Sequence, residues 1–226
     1  MNNLQVYKLK EILDLMEHKK TGTKDELISR INNEFAKYKK YKNKTKNKYV
    51  KIRQLGNKGK EGICYLVKDK DKNEFAMKTF SSRKSFRNIL IEAEFQSLAS
   101  SENIAPIVYE VDPVHKYIIM QKLNNHLLDT LKINSGKLSM KHQKRILHIC
   151  KKLDKLGIFY NDPNLQNFML NDDIIYLIDY GMCVKIDKGL IKKLGTDKPN
   201  EVFLKSAFIC KLKEANCPSN SYKLLC

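Results

Sequence analysis

The chain has 226 residues, enough for one full domain or for a small module beside a domain of ordinary size. Hydrophobic residues make up 42% and include 11 Tyr and 9 Phe, which supplies a packed core and argues against wholesale disorder. The balance of 43 Lys+Arg against 25 Asp+Glu, a formal +18, disfavours acidic ligands' repulsion and favours polyanionic partners such as nucleic acid, an anionic membrane surface or acidic proteins.

The first 35 residues carry two short amphipathic patterns. Leu9, Ile12, Leu13 and Met16 form one apolar stripe at helical spacing. Gly22 interrupts it. Thr23 followed three residues later by Glu26 is a capping-box signature, and it announces a second helix whose buried face is Leu27, Ile28, Ile31 and Phe35. Next comes KYKKYKNKTKNK (37–48), with seven lysines, no acid and no helical or strand period. It reads as a basic, flexible linker and the first domain boundary. The helical pair resembles a SAP motif, on Leu4, Val6, Leu9, Lys10, Ile12 and Leu13, then Gly22-Thr23-Lys24, Glu26-Leu27-Ile28 and Arg30-Ile31. That resemblance implies DNA binding by the turn and the start of the second helix, with Lys19, Lys20, Gly22, Thr23, Lys24 and Arg30 as the contact residues. Helix N-terminal amides beside lysines suit phosphate, so backbone contacts with little base readout are expected. A helical pair docked on a larger domain is the alternative.

From about residue 49 the texture changes to short strands: KIRQL (51–55), ICYLV (63–67) and FAMKTF (75–80), with DKDKN (69–73) as a turn. A helix is predicted near 84–100 with Phe86, Ile89, Leu90, Ala93 and Leu98 inward. IVYEV (107–111) and KYIIMQ (116–121) are further strands. Ser139 caps a helix to Leu156, with Ile146, Ile149, Leu153 and Leu156 on one side and Gly157 as its stop. FML (168–170) and IIYLI (174–178) flank Asn171-Asp172-Asp173 as a hairpin, and a last helix is expected over about 201–215. The order, strands with one helix and then mainly helix with a small hairpin, predicts two lobes with a crevice between them. The six cysteines show no C-x-x-C pair and read as reduced, structural thiols. His148 and Cys150, two apart, point to different helix faces.

The polar residues within these elements form an ordered set. Gly56, Gly59 and Gly62 lie between the first two strands, where glycine lets backbone approach phosphate, although an ordinary flexible turn has the same composition. Lys78 sits amid apolar strand residues and needs either a solvent face or an anionic partner, which Glu94, with Glu92 as its competitor, could supply. Asp162 precedes Asn167 by five positions, and Asp179 opens Asp179-Tyr180-Gly181. In this order and at these intervals the set resembles the eukaryotic-type protein-kinase superfamily, over about residues 49–185.

The resemblance implies an α+β, two-lobed protein-kinase-like fold with a truncated C-lobe, preceded by the small helical SAP-type hairpin. The boundaries are 1–36 for the SAP-like module, 37–48 for the linker and 49–226 for the kinase-like domain, with lobes of about 49–123 and 124–226. It implies ATP and Mg²⁺ as cofactors. Gly56, Gly59 and Gly62, followed by Cys64, would cover the phosphates; Lys78 would hold them, pinned by Glu94. Met120–Leu123 would be the hinge that meets adenine. Asp162 would orient the substrate hydroxyl, and Asn167 and Asp179 would hold Mg²⁺. The pattern is broken in places. The first glycine interval is one residue longer than the family's, Tyr160-Asn161 stands where His-Arg is usual, and Tyr180 replaces Phe. Only 47 residues follow Asp179, without a clear Ala-Pro-Glu beyond the echo KPNE (198–201), which is more similar to the small atypical kinases.

The expected activity is therefore a serine/threonine protein kinase beside DNA; a DNA-associated pseudokinase or scaffold and a small-molecule kinase are the alternatives. A monomer in the nucleus or another DNA-containing intracellular compartment, a viral factory or virion included, is expected. No apolar run approaches bilayer length and MNNLQVYKLK lacks a secretory apolar region, so no membrane association is expected. Deleting residues 1–48 is expected to weaken retention on DNA and to flatten its salt dependence, measured by binding titrations across a salt series. Unchanged retention would reject the tether.

Overall fold

Of the chain, the computed structural model describes residues 21–30, 48–57, 59, 61–113 and 115–226. Contacts divide it into two units, residues 1–51 with Lys68–Asn73, and Ile52–Val67 with Glu74–Cys226. In the first unit, residues 24–30 are helical and Leu27 is wholly buried. The capping box forms as the sequence predicts. The Thr23 amide donates to Glu26 Oε2 at 2.7 Å, and the Glu26 amide donates to Thr23 Oγ1 at 3.4 Å. The stripe at Leu9–Met16, the residues Ile31 and Phe35, the lysines Lys19 and Lys20 and most of the basic linker lie outside the described residues.

The second unit is α+β. β-branched and aromatic runs give a five-stranded sheet in the order β1-β2-β3-β5-β4. Its strands are Val50–Leu55 (β1), Gly62–Lys68 (β2), Glu74–Phe80 (β3), Val108–Asp112 (β4) and Tyr117–Met120 (β5). β3 and β4 both pair antiparallel with β5, placing Lys78 opposite Ile118 and both Ala76 and Val108 opposite Met120. The helix Phe86–Ser101 (α1) starts at Ser85, whose side chain accepts from the Asn88 amide. A small core joins it to the sheet through Ala76, Phe80, Ile89, Ala93, Ile118 and Met120.

The buried face of α1 differs from the expected one. Phe86 and Leu98 are 37% and 42% exposed, and the inward stripe is Ile89, Glu92, Ala93, Gln96 and Ala99. Two polar residues hold inward positions because each finds partners there. Gln96 Nε2 donates to the Pro106 carbonyl at 3.0 Å, and Glu92 meets two lysines described below.

The C-terminal part has its own, larger core around Met140–Lys155 (α3), where Ile146, Ile149 and Leu153 are buried as the periodicity predicts. Ser139 caps it by accepting from the His142 amide at 3.1 Å. His148 is exposed and Cys150 buried, so they occupy different faces. The short helix Leu127–Ile133 (α2) and the two-residue strand Asn125–His126 (β6) precede it. After it come Ile158–Phe159 (β7) and the hairpin Phe168–Asn171 (β8) and Ile174–Leu177 (β9), closed by Asp172 and Asp173 at φ +48° and +60°. Val184–Lys185 (β10) pairs antiparallel with β7, and Lys188–Leu194 (α4) follows. The helix expected over 201–215 is a π-type turn, Asn200–Leu204, leading into Lys205–Glu214 (α5). Among the described residues no helix is long and apolar enough to cross a membrane, and all six cysteines are free.

One buried side chain ties the C-terminal turn to the segment before the Asp162 loop. Asn200, wholly buried, accepts from the Tyr160 amide at 2.9 Å and donates to the Ile158 carbonyl and to Asp154 Oδ1, both at 2.7 Å. Asp154 in turn accepts from the amides of Asn200 and Glu201 at 2.9 Å each. Asn200→Ala would strand buried polar groups on both sides, at a cost of about 2–4 kcal/mol. Urea unfolding followed by circular dichroism should show that loss as a lower midpoint with an unchanged slope.

Candidate active site

Lys78 emerges from the middle of β3, flanked by the buried Met77 and by Thr79. An ammonium in such a place must be paired. Its Nζ donates to Glu92 Oε1 at 2.6 Å and to Asp179 Oδ1 at 2.8 Å. Burial alone would lower the lysine pKa, but the two carboxylates more than offset it and hold the value above the ordinary lysine range. Asp179 is shifted the opposite way: burial pushes its carboxyl up, and Lys78 pulls it further down, below the usual range. At neutral pH the Lys78–Asp179 pair is therefore ionic.

The expected partner Glu94 does not take part. It is exposed, whereas Glu92 is 1% exposed. Two positions on an α-helix are separated by about 200° of rotation, so only one of the two carboxylates can face β3. The stripe Ile89–Ala93–Gln96 decides for Glu92.

Asp179 adopts φ +63°, ψ +81°, a left-handed conformation uncommon for a non-glycine residue. Three contacts impose it. Its Oδ1 accepts from the Gly181 amide at 3.2 Å, the preceding Ile178 amide donates to the Asn167 carbonyl at 2.8 Å, and the Tyr160 hydroxyl donates to the Ile178 carbonyl at 2.5 Å. Tyr160 is wholly buried and packs edge-on against Tyr180, with ring centroids 5.5 Å apart. These two aromatics thus form one packed unit beneath Asp179. Burial raises both phenol pKa values well above the ordinary range, so neither ionises.

The Asp162 loop is built from side-chain turns. Asp162 Oδ1 accepts from the Asn164 amide at 3.3 Å, and Asn164 Oδ1 accepts from the Gln166 amide at 3.0 Å. Buried Asn167 donates from Nδ2 to the Asp162 carbonyl at 3.5 Å, which leaves its Oδ1 available as a donor atom to a metal. Asp162 is partly exposed, Asn167 buried and Asp179 part-buried.

The glycines have distinct roles. Gly62 is dictated by packing, because a Cβ there would lie 1.9 Å from the Thr79 carbonyl of β3. Gly59 donates its amide to the Gly62 carbonyl at 2.9 Å, which curls the loop. Gly56 turns the chain at φ +65°, in open space. Met120 ends β5, which pairs with both β3 and β4, and its side chain fills the small core beside Ala76 and Ile118. Leu123, buried, follows the end of β5. Burial raises the Cys64 thiol, which makes it unreactive at neutral pH.

Sequence reasoning passed over two further charged groups. Lys84, nearly buried, has its Nζ 2.6 Å from Glu61 Oε2 and 3.2 Å from Glu92 Oε2. The spacing Lys78-x5-Lys84 was visible, but nothing in it signals that a surface-type lysine before a helix turns inward. In the first unit, Thr23 and Glu26 are committed to the cap, Arg30 Nη1 donates to the Thr21 carbonyl at 2.9 Å, and Lys24 is exposed. Gly22 takes φ +130°, and a Cβ there would stand 2.6 Å from Glu26 Oε2.

The chain matches no protein-family model, and no curated protein gives a significant match.

Glu92→Gln should destabilise the protein by about 3 kcal/mol, because two buried lysines lose a shared counter-charge. Glu94→Gln should stay within about 0.5 kcal/mol of the parent. Equilibrium urea unfolding of the two variants side by side separates the pairings.

Proposed function

We propose that the protein is a phosphotransferase that uses ATP and Mg²⁺ to phosphorylate serine or threonine hydroxyls of a protein, held beside DNA by its N-terminal module. The observation that carries this reading is the Glu92–Lys78–Asp179 bridge, which draws together groups 14 and 101 positions from the lysine. A two-lobed, kinase-like arrangement belongs to the same proposal. The separate small core of the five-stranded sheet and the larger core around α3 support it.

ATP with Mg²⁺ would supply the transferable phosphoryl group and the cation that neutralises its charge. The donor set fits that demand. Asn167 Oδ1 and an Asp179 carboxylate are hard oxygen donors of the kind Mg²⁺ prefers. Lys78 and the Gly181 amide both use Asp179 Oδ1, so Oδ2 remains for the metal. Lys78, cationic at neutral pH, would hold phosphate oxygens. Asp162, kept at the surface by its turn, would orient the acceptor hydroxyl and take its proton. The capped helix at 24–30 and the lysine-rich linker support the DNA tether.

Incubation with labelled ATP, Mg²⁺ and acidic or basic model proteins tests the reading. Transfer is expected from the parent chain, with Asp162→Ala lowering it at least about 100-fold while ATP affinity stays within about threefold. Nucleotide binding without any transfer by the parent would instead indicate a scaffold.

A further inference from the structure

Two lysines, not one, face the buried carboxylate of Glu92. Lys78 Nζ lies 2.6 Å from its Oε1 and Lys84 Nζ 3.2 Å from its Oε2. Both ammonium groups also flank one ring, 5.3 and 5.6 Å from the centroid of Phe80. The position of Lys84 is built rather than incidental. Its side chain is 7% exposed, its amide donates to the Ser81 carbonyl at 3.2 Å, and Lys116 Nζ donates to the carbonyls of Ser82 and Lys84 at 2.6 and 2.7 Å. A pinned turn thus delivers a second cation to the site.

The third carboxylate, Glu61, comes from the loop between β1 and β2. Its Oε2 accepts from Lys84 Nζ at 2.6 Å, and its carbonyl accepts from the Ser81 amide at 2.8 Å. The same oxygen lies over Gly181, 2.5 Å from where a Cβ would stand. The ligand atoms of Glu61, Glu92 and Asp179 all lie within 4.8 Å of one another. The charges form an alternating chain, Glu61–Lys84–Glu92–Lys78–Asp179, with each lysine held between two carboxylates. Each ammonium spends two of its three donors on carboxylates, so a polyphosphate competes with those carboxylates for the lysines. Glu92 is fully buried and shared, and Asp179 is also tied to the Gly181 amide. Glu61 has a side chain 35% exposed, one ion-pair partner among the described residues, and glycine two positions before and one after it. It is the exchangeable member.

We propose that Lys84 is a second phosphate-binding lysine and that the Glu61 carboxylate holds its place until polyphosphate displaces it. The inference rests on the phosphotransferase reading and adds a binding residue and an internal competitor to it. Removing the competitor strengthens polyphosphate binding; removing Lys84 weakens it; neither touches the nucleoside.

Calorimetric titration of the full chain with ATP, tripolyphosphate and adenosine decides it. Glu61→Gln should tighten ATP and tripolyphosphate about tenfold, equivalent to about 1.4 kcal/mol, and leave adenosine unchanged. Lys84→Gln should weaken the first two about tenfold or more, and the double variant should match Lys84→Gln. Should Lys84→Gln fail to fold, Glu61→Gln alone decides. Unchanged or weaker ATP binding by Glu61→Gln, with the parent still binding ATP, overturns this inference and leaves the phosphotransferase reading intact. Absence of ATP binding by both the parent and Glu61→Gln overturns the two together.

Discussion

The burial of Glu92 is the constraint on which the site depends. A carboxylate at 1% exposure is tolerable only if cations reach both of its oxygens, and here Lys78 and Lys84 do so. That requirement fixes the rotation of α1 against the sheet, since no other face of the helix would bring Glu92 to β3. It also requires the close approach of β2 to β3 at Gly62 and of the Asp179-Tyr180-Gly181 turn beneath the loop, where side chains would collide. The charge chain is thus both the chemistry of the site and a clamp between the five-stranded sheet and the C-terminal part of the same unit.

A second clamp works from below. Tyr160 and Tyr180 fill the space under Asp179, and the Tyr160 hydroxyl holds the Ile178 carbonyl, so packing supports the left-handed Asp179. Asn200 and Asp154 then fasten the Tyr160 segment to the C-terminal helices.

Local chemistry made much of the fold legible. The capping box at Thr23 and Glu26, the Ser139 cap, the two-residue turn at Asp172-Asp173 and the strand runs of the sheet each follow from interactions among near neighbours, and each forms. The positions of Lys78, Asp162, Asn167 and Asp179 were marked by residue type and order. Burial on α1 is where sequence and structure differ: hydrophobicity points Phe86 and Leu98 inward, yet both are exposed, and the resemblance points to Glu94, yet Glu92 is the buried carboxylate.

The sequence by itself determined most of the secondary elements and their turns, because caps, turns and periodicity act over a few positions. Only the tertiary structure decided which carboxylate meets Lys78, that Lys84 and Glu61 join them, and that Asn200 anchors the loop. Those choices depend on partners up to 101 positions away, and a buried charge is placed by its partners rather than by its neighbours in the chain.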